Sequence, residues 1–373
     1  MQEKAAKKRF TSLVLPNDPL SVYVKQGNLE QFINRFTYYA DNLGDVYIYN
    51  MDDQDVQYPY PNVSIINVRR PSFRLFEMFK KVRDLYRLVK EKNIDFLRTP
   101  EGGNFIKSAI IGIVGKLRGK AVIVSIHGTY RGLSKTQKYK WYHKLIFRFL
   151  EEITRRTTSI TFVIDPMYIE ELKWENMHLI PNYVNCDMFS PEDVKKQWDG
   201  VYVGALHNRK GIPYLVEAIK KVREKFPNSK FAVIGHGPMD SLVKMIPGID
   251  YIGPIQHETL SYYYNRSKMF ITATLHEGFA IPLVEAQACD IPIVATDLPP
   301  FYNNTVPGKT SILVPSQDST ALAAGIIQLL TDTKLRKEMG HAGRAFVNRN
   351  FNRDEILKKE VALIRSVLGD SND

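Results

Sequence analysis

Short apolar runs recur along the chain, bounded by polar or turn-forming residues, and most are followed by a longer stretch with helical spacing. In the first half the runs are Thr11 to Leu15, Asp45 to Tyr49, Val63 to Val68, Ile94 to Arg98, Ala121 to Ile126, Ser159 to Ile164 and Met177 to Ile180. This alternation of strand and helix predicts an open parallel sheet. After Asn182 it restarts: Gly200 to Val203, a helix to about Phe226, Lys230 to Ile234, Asp250 to Ile252, Met269 to Ala273, Ile291 to Thr296 and Ser311 to Val314. A second doubly wound sheet follows, closed by helices over Ser319 to Leu330, Lys334 to Val347 and Arg353 to Leu368. No internal repeat or low-complexity tract is visible.

The densest chemistry lies in His276-Glu-Gly-Phe-Ala-Ile-Pro-Leu-Val-Glu-Ala-Gln-Ala-Cys289. Pro282 suits the first turn of a helix, where its missing N–H is not needed, so Gly278 to Ile281 read as the loop feeding that helix. Glu277 then precedes the helix and Glu285 lies about one turn inside it. Leu283, Val284, Ala286 and Ala288 surround Glu285, marking a buried helix. A buried carboxylate needs a hydrogen-bond or charge partner. A polar ligand at the helix start would supply one, and the free N–H groups and positive dipole end there favour phosphate or sugar oxygens. The alternative is a glutamate that caps or pairs within the core.

With its neighbours, this segment resembles the Glu-x7-Glu signature of retaining glycosyltransferases of the two-Rossmann GT-B fold, family 4 above all. Val203-Gly-Ala-Leu-His-Asn-Arg-Lys-Gly-Ile-Pro213 is similar to that family's strand, glycine and Lys-Gly unit, and Phe231-Ala-Val-Ile-Gly-His-Gly-Pro238 to its next strand and glycine turn. Ile180-Pro-Asn-Tyr-Val-Asn-Cys-Asp187 resembles the segment joining the two domains, and Lys309-Thr-Ser-Ile-Leu-Val-Pro315 the strand after the donor site. The resemblance is close over residues 175 to 350 and looser before them. It implies two Rossmann-like domains facing a cleft: an acceptor domain over residues 1–187 plus a helix at 353–373 that crosses back to it, and a nucleotide-sugar domain over 188–352.

It also implies roles for residues. Glu285 would grip the ribose, Glu277 would lie near the transferred sugar, and Gly278, Phe279 and Ala280 would offer backbone N–H groups to sugar and diphosphate. Lys210 matches the phosphate-binding lysine, and Gly204 and Gly235 would let the donor approach. Many relatives carry arginine where this chain has Ala205; Arg209 is the candidate replacement, with an ordinary surface residue as its alternative reading. Gly27 stands alone where relatives often have two glycines. His127, at the end of a strand, matches a histidine that approaches the donor sugar, and Glu101, Gly102 and Asn104 are candidates for acceptor contact. Asp53-Gln-Asp55 satisfies a bare Asp-x-Asp metal pattern, read here as a loop, because helix dipole and lysine take the place of a metal bridge in GT-B enzymes. No metal or cofactor is expected.

Composition narrows the picture. At 373 residues, two cores are expected, and 44% hydrophobic residues is ordinary for a globular chain. The two cysteines, Cys186 and Cys289, have neither disulfide nor metal spacing. No apolar run approaches a bilayer span and the N-terminus has no signal-like apolar core, so a cytoplasmic protein is expected, peripheral at the inner membrane face if it meets a membrane. The net charge of +11 is uneven: residues 1 to 190 hold 29 Lys and Arg against 20 Asp and Glu, a balance of +9. In Lys135 to Arg156, Lys138, Lys140, Lys144 and Arg148 interleave with Trp141, Tyr142, Leu145, Ile146 and Phe149, which suits an anionic membrane surface or an acidic acceptor. A solvated lysine face on a core helix is the alternative, and no nucleic-acid module is recognisable. The sequence thus points to a metal-independent, retaining transferase using a UDP- or GDP-type nucleotide sugar and a glycan, glycolipid or other hydroxyl acceptor. A catalytically inactive GT-B binding partner and an NAD-dependent oxidoreductase are the alternatives, the latter lacking the third glycine of its fingerprint at Gly235-His-Gly237.

Overall fold

The computed structural model describes residues 8–25, 29–71, 74–102, 105–127 and 140–370. Two compact units emerge, one formed by the chain up to Pro181 together with the residues from Leu357 onward, the other by Asn182–Ile356. Unit 1 is built on β1 (Ser12–Val14), β2 (Val46–Asp52), β3 (Val63–Arg69), β4 (Phe96–Gly102), β5 (Ala121–Ile126), β6 (Ile160–Val163) and β7 (Met177–Leu179). Its sheet runs β3-β2-β1-β4-β5-β6-β7. Unit 2 carries β8 (Gly200–Val203), β9 (Phe231–Ile234), β10 (Ile249–Gly253), β11 (Phe270–Thr272), β12 (Ile293–Thr296) and β13 (Ser311–Val314), in the order β10-β9-β8-β11-β12-β13.

Every strand pair in both sheets is parallel. Parallel sheets are covered by helices on both faces, which is why their strands read as unbroken apolar runs. All four residues of β6, β9 and β12 are accordingly buried. The two sheets are the doubly wound pair expected from the alternation. Boundaries differ locally. β4 continues through Glu101 and Gly102, past the expected end at Arg98, with a register shift against β5 between Thr99 and Gly102. The helix after β3 spans Arg74–Glu91.

The helix Arg353–Val367 crosses from unit 2 into unit 1, burying Leu357 and Ile364 completely. Between them Glu360, itself fully buried, forms an ion pair with the fully buried Arg98 of β4. Ser125 Oγ accepts a further hydrogen bond from Arg98 at 3.2 Å, and Arg35 Nε stands 3.5 Å from the second Glu360 oxygen. The guanidinium lies against the Tyr39 and Phe162 rings, at 5.4 and 5.2 Å. Among the described residues Arg98 Nε and Nη1 have no hydrogen-bond partner, so Glu360 and the ring faces carry its neutralisation.

Removing one partner of such a pair leaves a buried charge, at about 3–5 kcal/mol, whereas an apolar replacement of both is close to neutral. Glu360→Ala should therefore lower the melting transition of unit 1 strongly, and the double variant Arg98→Met/Glu360→Leu should recover most of it, as read by calorimetry.

Candidate functional site

In unit 2 the strand order reverses at β8 and β11, whose onward connections leave in opposite directions. A crevice opens outside the carboxyl ends of neighbouring strands at such a point. The chain after β8 passes through a short 3-10 turn, Asn208–Lys210, into the helix Ile212–Lys225; the chain after β11 leads to the helix Ile281–Ala288. The two loops touch. Arg209 O accepts from Leu275 N at 2.9 Å and from Thr274 Oγ1 at 3.3 Å. Gly211 adopts φ +67°, and a Cβ there would run into the carbonyl of Ala273, so only glycine fits.

This approach brings Lys210 Nζ onto Glu277 Oε2 as an ion pair, each side chain about one-fifth exposed (21% and 19%). Tyr202, Lys210, Thr274, Glu277, Ala280 and Pro282 line a small pocket at this point. Ala280 is the residue before the helix and Pro282 lies in its first turn. Among the described residues the backbone N–H groups of Gly278, Phe279 and Ala280 find no acceptor. Gly278 is exposed with open space around it, whereas the Phe279 ring is packed edge-on against Phe351 at 5.6 Å, so Phe279 offers its backbone and not its ring. The result is a cation, a carboxylate and three free donors at the positive end of a helix.

Glu285 is nearly inaccessible, at 2% exposure. His257 Nε2 stands 2.6 Å from its Oε1, and the Tyr264 hydroxyl donates to its Oε2 at 2.9 Å. The Phe189 ring packs edge-on against both partners, at 5.3 Å from His257 and 5.9 Å from Tyr264. Burial disfavours a charged His257, but the hydrogen bond and charge of Glu285, with Glu258 behind, outweigh it and raise the imidazole pKa. The core-paired glutamate posed as the alternative from sequence is thus how Glu285 stands in the protein alone, with one partner on each oxygen and lone pairs left over.

Arg209 is exposed, and it is its carbonyl that ties the two loops. Gly235 has φ +126°, and a Cβ there would strike the carbonyl of Gly204; these glycines allow the ends of β8 and β9 to lie together. His127 closes β5 in unit 1, its carbonyl accepting from the Tyr168 hydroxyl at 3.2 Å. Burial, with Arg35 and Arg98 nearby, pushes its imidazole down to about 3, so it is neutral at ordinary pH. Glu101 and Gly102 end β4, while Gly27 and Asn104 lie outside the described residues. Asp53 and Asp55 are exposed in the bend after β2. Lys210, Glu277 and Gly278 to Ala280 are brought together in unit 2; Glu285 sits deeper in the same helix.

Residues 187–346 match the family described as glycosyl transferases group 1. The matched region lies within unit 2. It is 29% identical over 179 residues to a capsular polysaccharide biosynthesis glycosyltransferase of Staphylococcus aureus, 46% of each chain. It is 30% identical over 185 residues to a phosphatidyl-myo-inositol mannosyltransferase of Mycobacterium tuberculosis, 46% of this chain and 49% of that one. The matches thus span about half the length of these curated relatives. The crystal structure of Anabaena HepE with UDP superposes with a TM-score of 0.74, 13% identity, 96% of this chain and all of the other, which shows the shared GT-B fold.

Within this matched region, sequence reasoning passed over His257 and Tyr264. A signal for His257 existed: like His127, it follows the carboxyl end of a strand, here β10. Tyr264 carried none, since a tyrosine among Tyr262 and Tyr263 on a short helix reads as packing. The two carboxylates should differ in what they do for stability. Glu277→Ala loses a partly exposed ion pair and should cost about 1 kcal/mol or less. Glu285→Ala strands the buried Tyr264 hydroxyl and the half-buried His257, and should cost roughly 2–5 kcal/mol. Denaturant titration of both variants checks the contrast, and equal losses would contradict it.

Proposed function

We propose that this chain is a retaining, metal-independent glycosyltransferase that moves a sugar from a UDP- or GDP-type nucleotide sugar to a hydroxyl acceptor of a glycan or glycolipid. The observation that carries this reading is the meeting of Lys210, Glu277 and the free N–H groups of Gly278, Phe279 and Ala280 at the reversal of the unit 2 sheet. A departing nucleoside diphosphate develops negative charge, and a fixed cation with aimed N–H donors stabilises it more in a crevice than in water. Diphosphate would draw Lys210 away from Glu277, leaving Glu277 beside the transferred sugar. The Glu-x7-Glu resemblance supports retention, with departure and attack on one face of the sugar and Glu285 at the ribose. His127, held neutral, would serve as a hydrogen-bonding group rather than a cation. The HepE crystal structure holds UDP, and the two curated relatives are named for capsular polysaccharide biosynthesis and for mannosyl transfer to phosphatidyl-myo-inositol, which supports the donor and acceptor classes.

A product-forming assay with UDP- and GDP-sugars in EDTA tests this. Wild type should transfer with retained anomeric configuration, Lys210→Ala should lose at least about a hundredfold, and Arg209→Ala should lose part if it replaces the arginine absent at Ala205. Loss of transfer in EDTA, restored by magnesium or manganese, would overturn metal independence and return Asp53 and Asp55 to candidacy; nucleotide binding without transfer would make the chain a binding partner.

We read the acceptor as presented at an anionic membrane surface, cytoplasmic side. The support comes from three neighbouring helices of unit 1, Arg74–Glu91, Ile106–Arg118 and Trp141–Thr157. Gly112 lies against Thr157, and the Arg118 guanidinium stacks on the Tyr86 ring at 3.5 Å, so the three are packed side by side. Phe76, Phe79, Leu117, Trp141 and Phe149 are each more than 60% exposed on them. Trp141, Tyr142, Leu145, Ile146 and Phe149 of Trp141–Thr157 therefore face away from the core, while Leu150 packs against it; Lys135 and Lys138 lie outside the described residues. These helices carry thirteen Lys and Arg against five Asp and Glu; Lys107 is turned inward onto the carbonyl of Pro16, and the exposed basic groups complement anionic lipid, each contributing about 1 kcal/mol near such a surface. Among the described residues no helix is long and apolar enough to cross a membrane. Salt-sensitive sedimentation with phosphatidylserine or phosphatidylinositol vesicles, lost in a Trp141→Ser/Lys144→Glu/Arg148→Glu/Phe149→Ser variant, is expected. Absence of vesicle binding at low salt, or self-association abolished by the same changes, would overturn the membrane reading.

A further inference from the structure

We propose that His257 is a positioning residue for nucleotide binding: it holds Glu285 oriented for the donor and balances its charge, so that proton and nucleotide reinforce each other at this site. The inference rests on the reading of Glu285 as the ribose-binding group and adds a residue and a pH dependence to it.

The geometry carries the argument. Glu285 is buried on a helix whose other buried positions, Leu283, Val284, Ala286 and Ala288, offer it no polar group, so its charge depends on what neighbouring elements supply. Two groups reach it, one per oxygen: His257 from the turn after β10, at 2.6 Å, and Tyr264 from the helix Leu260–Asn265, at 2.9 Å. Tyr264 is neutral, its phenol pushed far up by burial and by Glu285. Cys289, one turn further along the Glu285 helix, is neutral too, its thiol pushed up to about 12 by burial. Glu258, beside His257, adds negative charge and no counter-charge. His257 is therefore the cation among the groups in contact with Glu285. Its edge-on contact with Phe189 fixes the ring plane, and Phe189 O is in turn gripped by Arg344 Nη1 at 2.6 Å, so the imidazole has a backed seat.

A carboxylate oxygen can accept two hydrogen bonds, so with His257 on Oε1 and Tyr264 on Oε2 one acceptor position remains on each oxygen, the number needed for the two adjacent hydroxyls of a ribose. While His257 is protonated the buried pair is neutral overall. When it loses its proton, an uncompensated carboxylate stands in a site that must admit a diphosphate, and like charges repel. The sign follows. The His257 pKa is raised by its partner, so the charged pair is complete below the usual histidine range and is lost as pH rises through the elevated value; the stability it contributes and the nucleotide affinity fall together in that direction.

The test uses the full chain with UDP-glucose and GDP-mannose as probes, whose diphosphates have no proton to lose near neutral pH. Calorimetric dissociation constants for wild type should weaken about tenfold as pH rises through the His257 titration. In His257→Gln, which keeps a side-chain donor without a titrating charge, affinity should be flat with pH and close to the weak wild-type limit, with KM for the donor raised and kcat within about twofold of wild type. Tyr264→Phe should weaken binding but keep the pH dependence. NMR titration of the wild-type imidazole needs no substitution: saturating nucleotide should raise the midpoint, and an unchanged or lowered midpoint would overturn the proposal. A wild-type pH profile in His257→Gln would do the same. If Glu285→Ala binds nucleotide as wild type does, the ribose reading itself falls; if Glu285→Ala loses binding while His257→Gln is indistinguishable from wild type, that reading stands and the positioning role alone is refuted.

Discussion

A parallel sheet cannot return its own strands, so each connection must climb over a face and come down beside a neighbour, and where the order turns back two connections must part. In unit 2 that parting occurs between β8 and β11, and the candidate chemistry hangs on it. Lys210 is delivered by the first connection and Glu277 by the second, and the two meet because Gly211 lets the first loop rest on the carbonyl of Ala273. The helix that follows then begins at the same crevice, with its first N–H groups open. Neither loop would make a site alone.

What could be read in the sequence divides along physical lines. Periodicity reports burial, and burial in a parallel sheet is nearly continuous, so Ala121–Ile126, Gly200–Val203 and Ser311–Val314 were legible to the residue. The start of the Glu285 helix was legible to within one residue, because proline and glycine restrict backbone locally: Pro282 lies in its first turn, and Ile281 opens the helix rather than ending the loop. Partners were not. Glu285 announced that it needed something, and the answer lay 28 residues away in His257 and 21 away in Tyr264. Arg98 looked like the ordinary end of a strand until Glu360, 262 residues on, was found against it. Local rules carry no information on which distant side chain neutralises a buried charge.

The amphipathic helix of unit 1 shows a subtler limit. Its interleaved basic and aromatic residues were visible, but spacing alone does not say which side of a helix meets the sheet. The structure turns Trp141, Leu145 and Phe149 outward, and the two helices packed in series with it also expose apolar groups, which the sequence had not connected with it. An outward apolar stripe on one helix is unremarkable; three abreast form a surface.

The Arg98–Glu360 pair bears on the order in which the chain matures. Unit 2 is a single uninterrupted segment, while unit 1 is assembled from segments on either side of it. At roughly 5–20 residues per second, a ribosome adds the 262 residues separating the two charges in about 13–50 s. Through that interval Arg98 has left the ribosome without its counter-ion, and the sheet of unit 1 lacks the helix that closes it. Unit 2 can finish first although it is made second, so the nascent first half is the part that needs sheltering by chaperones.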